Sequence, residues 1–228
     1  MAISMADIKA LRQRTGAGIL DCKKALAEND GNVDAAIDWL RAKGIAKAAK
    51  KASRAATEGL VYSYIHDGGR IGVLVEVNCE TDFVARNESF QELCEDIAMH
   101  IAASAPEYVS KDEVDPAAAA HERKVQLERI REEGDKPAKM PQDRWDMILE
   151  KKIDGRMRKW FESVCLLDQP FIKDDAKTVA QMLADSVSTI GENIQVRRFA
   201  RYVLGEGLEK KQDNLAEEVA KMTAEANG

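Results

Sequence analysis

The chain is predicted to be an α+β protein: three short helices, then a three-stranded antiparallel sheet packed against helices, then a C-terminal helix. Three observations predict it. Apolar residues between 4 and 44 recur at helical spacing, Leu60 to Val77 alternate as strands do on either side of Asp67-Gly68-Gly69, and a long helical excursion separates that hairpin from a third strand-like run at Ile194 to Val203. The implied division is 1–45 for the helical module, 46–57 for a linker, 58–204 for the α+β core and dimerisation domain, and 205–228 for a C-terminal helical module.

In order, Ser4 with Asp7 approximates a capping box, and Met5, Ile8 and Leu11 form the first apolar stripe, broken at Thr15 to Gly18. Ile19, Cys22 and Leu26 continue at helical spacing. Asn32 caps a third helix carrying Val33, Ala36, Ile37 and Leu40, expected to close at Gly44. Ile45 to Thr57, rich in Ala, Lys and Arg with almost no large apolar side chain, reads as a linker of at most transient helical character. After the hairpin, Asn87 caps a helix with Phe90, Leu93, Cys94, Ile97 and Ile101 on one face. Asp115-Pro116 opens a charged helix, Pro137 and Pro141 mark a loop, and Trp145, Leu149, Ile153, Met157, Trp160 and Val164 predict a core helix. Asp174 is expected to cap a last core helix that Gly191 stops, and Leu215, Val219 and Met222 outline the C-terminal helix.

The composition narrows the function classes. With 228 residues, 45% hydrophobic, the chain can bury a core, and a net charge of -6 argues against a phosphate-gripping nucleic-acid surface and for a protein partner. Cys22, Cys79, Cys94 and Cys165 form no Cys-x-x-Cys pair and read as reduced structural thiols, which places the chain in the cytoplasm. The N-terminus lacks signal-peptide character and no stretch is apolar for long enough to span a bilayer. His66, His100 and His121 have no metal-ligand spacing, and neither a nucleophile elbow, a phosphate loop nor a dinucleotide fingerprint occurs, so no metal, cofactor or catalytic residue is expected.

The most informative run is Asn78-Cys79-Glu80-Thr81-Asp82-Phe83-Val84-Ala85-Arg86-Asn87, where a carboxylate and a large ring sit together as a strand gives way to a helix. One reading has Phe83 plugging the core and Asp82 capping a turn; the other has both displayed to a partner. Glu76 to Asn87 closely resembles the signature of the bacterial elongation factor Ts family, guanine-nucleotide exchange factors for elongation factor Tu. Leu11-Arg12-Gln13-Arg14-Thr15-Gly16-Ala17-Gly18-Ile19-Leu20-Asp21-Cys22-Lys23-Lys24-Ala25-Leu26 looks like that family's N-terminal signature, and Leu166-Leu167-Asp168-Gln169-Pro170-Phe171 like its leucine-rich Gln-Pro-Phe element.

That resemblance implies that the first three helices form a ubiquitin-associated-like module docking on the GTPase through Arg12, Ile19 and Leu20. It implies that Asp82 and Phe83, with Thr81 and Val84, enter the GTPase near its Mg²⁺ region, that His100 faces the partner, and that the helix of Leu215, Val219 and Met222 adds a contact. Longer members carry the core unit twice, whereas this chain has one hairpin and one Thr-Asp-Phe motif, like the short members that pair as homodimers. Two other classes stay open on the residues alone: a helical adaptor using the three-helix module, and an enzyme, for which no nucleophile, base and oxyanion donor can be assembled.

Overall fold

The computed structural model describes residues 3–134, 137 and 139–208. Three helices come first: α1 (Met5–Thr15), α2 (Ile19–Glu28) and α3 (Val33–Lys51). Ser4 and Asp7 make the expected reciprocal cap, Gly16 ends α1 in the left-handed region at φ 66°, and the Asn32 side chain accepts from Asp34 and Ala35 N–H groups. Ile8, Leu11, Cys22, Ala25, Leu26 and Ala36 form a small core among them, while Met5 stays exposed.

Helix α3 does not stop at Gly44. It runs through the expected linker to Lys51, because the Ala- and Lys-rich stretch has strong helix propensity and its small side chains lie against a later helix, α8 (Val179–Ile190). Gly44 is buried at that crossing, where an added Cβ would stand 3.6 Å from the Asp185 carboxylate. The missing large apolar side chains, the feature that reads as a linker, are what close helix packing uses here.

The sheet has the order β1-β2-β5, all antiparallel, from β1 (Glu58–Ile65), β2 (Ile71–Cys79) and β5 (Gln195–Val203). Its inner face carries Val73, Val75, Val77 and Val196 against Phe90, Cys94, Ile97 and Ile101 of α5 (Glu88–Ser104) and Val179, Met182, Leu183 and Val187 of α8. Each fully buried aliphatic side chain of this kind contributes about 1.5–3 kcal/mol. Asn87 caps α5 as expected.

The arginines that interrupt the apolar pattern of β5 have partners. A bulge opposite Glu76 and Val77 leaves Arg197 as the extra residue, and Arg197 and Arg198 both reach the Glu76 carboxylate, at 2.8 and 2.7 Å. Arg201 turns inward and donates to the Ala102 carbonyl at the end of α5.

Between α5 and α8 the chain makes a helical hairpin, α6 (Pro116–Glu132) and α7 (Gln142–Val164). The stripe on α7 is not part of the main core. Ile153 and Met157 pack with Ile130, and Val164 packs with Val114 and Cys165, two satellite clusters separate from the sheet. Asp174 likewise does not cap α8: Asp174–Thr178 is a short strand, β4, paired with β3 (Pro170–Phe171), and Thr178 makes the capping box with Gln181. Gly191 stops α8 as expected. All four cysteines are free and buried, and desolvation pushes the Cys94 thiol up to about 12 and that of Cys165 to about 11. Leu215, Val219 and Met222 lie outside the described residues.

Hydrogen bonds from Arg197 first and Arg198 second pull the Glu76 carboxyl from 4.5 to about 2. Because this folded value lies below the unfolded one, the cluster stabilises the fold fully above pH 4.5 and is lost as pH falls toward about 2. Glu76→Gln should therefore flatten the acid limb of thermal midpoint against pH across that window.

Candidate functional site

Strand β2 ends at Cys79, and the next turn begins a four-residue helix, α4 (Asp82–Ala85). Thr81 is its N-cap, with the hydroxyl accepting the Val84 N–H, which explains why a Thr precedes the acid-aromatic pair. Ala85 is buried against the core and Val84 packs at its edge, so the one-turn helix is seated on its far side. Phe83 points the other way and is 79% exposed. The core-plug reading is thereby excluded: among the described residues the ring is not enclosed by the protein's own interior. Asp82 lies beside it, paired with Arg86 at 2.9 Å on the surface, an ion pair of the kind that contributes little to stability.

The turn is braced from behind by residues that no motif singled out. Glu192, just past the Gly191 stop of α8, accepts three hydrogen bonds: Glu80 N–H and Thr81 N–H on Oε2, both at 3.0 Å, and the Thr81 hydroxyl on Oε1 at 2.7 Å. Reciprocally, Asn193 N–H donates to Glu80 Oε1 at 2.6 Å, which with Arg54 holds the Glu80 carboxyl below its ordinary range. The Asn193 side chain, 2% exposed, donates to the Arg54 carbonyl at 2.8 Å and more weakly to that of Ala52. More than a hundred residues separate Thr81 from Glu192 in sequence, so only the sheet's closure by β5 brings them together.

Arg12, Ile19 and Leu20 do form one surface. Gly16 and Gly18 bracket a short connection that turns Ile19 and Leu20 outward, 47% and 81% exposed, and with Arg12, Gly18 and Asp21 they line a shallow depression. Asp21 itself accepts from Lys43 at 2.6 Å and Lys47 at 2.8 Å, tying α2 to α3.

His100 is a correction. It is fully buried, its Nε2–H donating to Gln169 Oε1 at 2.9 Å and its Nδ1 accepting the Ile172 N–H at 3.3 Å, with the Phe171 ring centroid 6.0 Å away. Desolvation holds its pKa below the ordinary value and keeps it neutral. It offers no surface to a partner. The Gln-Pro-Phe element is what encloses it: Gln169 also donates to the Ser163 carbonyl, joining α5 to the end of α7. Helical spacing already placed His100 three residues after Ile97, on the apolar face, and that signal outweighs the motif match.

Among the described residues no group of His, Cys, Asp and Glu is placed to hold a metal ion, and no helix is long and apolar enough to cross a membrane.

Comparison with known proteins places the chain among the translation elongation factors. The family model for Elongation factor TS matches residues 43–206. Elongation factor Ts of Anaeromyxobacter sp. is 59% identical, with 94% of each chain covered; that of Geobacter sulfurreducens is 54% identical over 96% of this chain and 98% of the relative; that of Alkaliphilus oremlandii is 52% identical over 99% and 100%. The chain belongs to the elongation factor Ts family.

His100→Ala should cost about 1–3 kcal/mol in urea unfolding, the penalty of leaving a buried partner unpaired, and should leave the surface functions of the still-folded protein unchanged.

Proposed function

We propose that this chain is a guanine-nucleotide exchange factor that binds elongation factor Tu carrying GDP and promotes GDP release, allowing GTP to reload. The observation that carries the proposal is the exposed Phe83 ring beside Asp82, on a turn seated and braced from the opposite side. A nucleotide on a GTPase is held by a backbone phosphate cradle and Mg²⁺, contacts that depend on one another. Weakening a few releases the rest. Phe83 gains apolar contact only where the partner's helices part, so its burial free energy, about 2 kcal/mol, stabilises the opened form alone. Asp82 adds negative charge that disfavours the arrangement around a phosphate-bound metal. Linkage makes the antagonism mutual: nucleotide and factor weaken each other's binding by the same ratio, so exchange is accelerated without consumption of the factor. Thr81 and Val84 shape and seat the turn.

Arg12, Ile19 and Leu20 supply a second docking surface on the GTPase, and Leu215, Val219 and Met222 a third. The chain needs no cofactor and performs no covalent chemistry in this scheme, and it works in the cytoplasm without direct nucleic-acid contact.

We further propose a homodimer, through the outer face of the sheet. Cross-strand rows there run Ile65, Gly72, Tyr202, then Ser63, Leu74, Ala200, then Val61, Glu76, Arg198. Val61, Ile65 and Tyr202 are each more than two-thirds exposed and Leu74 nearly half. An apolar centre with a rim where Glu76 balances two arginines is self-complementary, as a two-fold contact requires, and fits a second copy better than a strongly charged partner.

Phe83→Ala should slow factor-stimulated release of fluorescent GDP from elongation factor Tu about thirtyfold, the kinetic equivalent of about 2 kcal/mol, with almost no change in thermal midpoint. Unaltered release would remove Phe83 from the mechanism, and a parent chain that leaves GDP release unstimulated would reject the exchange reading. The solution mass should be twice the chain's 25.2 kDa, and Leu74→Lys should halve it; a monomeric parent rejects the dimer.

A further inference from the structure

We infer that Glu192 is a positioning residue for nucleotide exchange: its carboxylate, fixed through Asn193 to the segment leaving α3, holds the Thr81 turn so that Phe83 is presented already ordered. The inference rests on the exchange role proposed above.

A ring that is 79% exposed cannot set its own position by packing. Any insertion it makes must either carry the cost of ordering the turn at the moment of contact or inherit an ordered turn from the fold. The second condition is met. The one carboxylate takes three donors from two successive residues, Glu80 and Thr81, which leaves that stretch of backbone little freedom, and bonds to an ionised acceptor are the stronger kind. The hydroxyl that Glu192 binds is the same one that caps α4, so the brace acts directly on the helix carrying Asp82 and Phe83. Asn193 extends the brace backwards, its N–H on Glu80 and its amide on the carbonyls of Arg54 and Ala52. Helix α3, which carries the Asp21-bound lysines of the N-terminal helices, ends at that point. The turn and the N-terminal docking surface are thus referenced to one short stretch of chain.

The test uses the full chain with Glu192→Ala, Glu192→Gln, Phe83→Ala and the Glu192→Ala/Phe83→Ala pair, measured as release of fluorescent GDP from elongation factor Tu against factor concentration, at a temperature where circular dichroism shows each variant folded. Glu192→Ala should lower the maximal rate about tenfold or more, as misplacement of a positioned group does, with the half-saturating concentration close to the parent's. Glu192→Gln should restore most of the rate, since its amide oxygen can take both backbone N–H groups and its NH₂ can donate to the Thr81 hydroxyl. In the Phe83→Ala background Glu192→Ala should cost several-fold less than in the parent, because only Asp82 remains to be placed.

A parental rate for Glu192→Ala beside a slow Phe83→Ala overturns the positioning role and leaves the exchange reading standing. An equal loss in both backgrounds, or a loss confined to half-saturation, also overturns it by assigning Glu192 to general structure or binding. Parental exchange by Phe83→Ala rejects the ring's role and the positioning role with it, whereas a parent chain that does not stimulate GDP release rejects the exchange reading itself. Should Glu192→Ala fail to fold, Thr81→Val, which removes the hydroxyl's bond to Glu192 together with its cap on Val84 and keeps the two backbone bonds to the carboxylate, takes its place in the same cycle.

Discussion

Strand β2 is hydrogen-bonded along both edges, to β1 from its own hairpin and to β5 from more than a hundred residues later, and the register of that second pairing governs much of the molecule. A one-residue slip would turn Val73, Val75 and Val77 to the outer face and leave the inner face polar. The bulge at Glu76 and the two arginines on its carboxylate mark one allowed alignment. With that alignment set, the residues preceding β5 arrive at the end of β2, where Glu192 and Asn193 meet the Thr81 turn. The position of Phe83 is in this sense a downstream effect of strand pairing, although the ring itself stands largely in the open.

The chain keeps two kinds of apolar surface apart. Inside, the valines of β2 and the apolar faces of α5 and α8 form one continuous core. Outside, Phe83, the Ile19 and Leu20 pair, and the outer sheet face are separate and shallow, each mounted on an element whose opposite side is buried or hydrogen-bonded. Exposed hydrophobic side chains scattered singly are ordinary. A large ring on a capped turn, or a group of apolar side chains across one sheet face, is less so, because the fold has used hydrogen bonds to keep them out of its own interior.

Much of this was legible in the sequence because it depends on neighbours in the chain. The caps at Ser4, Asn32, Asn87 and Asp115, the hairpin turn at Asp67-Gly68-Gly69 and the Gly191 stop are local chemistry, and each appears where the residues predict it. What failed was non-local. Gly44 reads as a stop until α8 is placed across it, Asp174 reads as a cap until β3 pairs with its segment, and the α7 stripe reads as core until α6 supplies it with a separate small one. The acid-aromatic pair was visible at once, but its exposure was not, since the same residues suit a plug. Glu192 carried no signal: a glutamate after a helix-ending glycine is unremarkable until its three donors arrive from elsewhere.

The burial of every cysteine has a consequence for handling the molecule. Thiols at Cys22, Cys79, Cys94 and Cys165 are shut in the interior, and the environment of each disfavours the thiolate that alkylating agents and disulfides need. In the native state they are therefore chemically silent, and they become reactive only when the segment around them opens. The rate at which a maleimide consumes each one is then a clock for the opening of three separate packed regions: the N-terminal bundle at Cys22, the sheet core at Cys79 and Cys94, and the foot of the helical hairpin at Cys165.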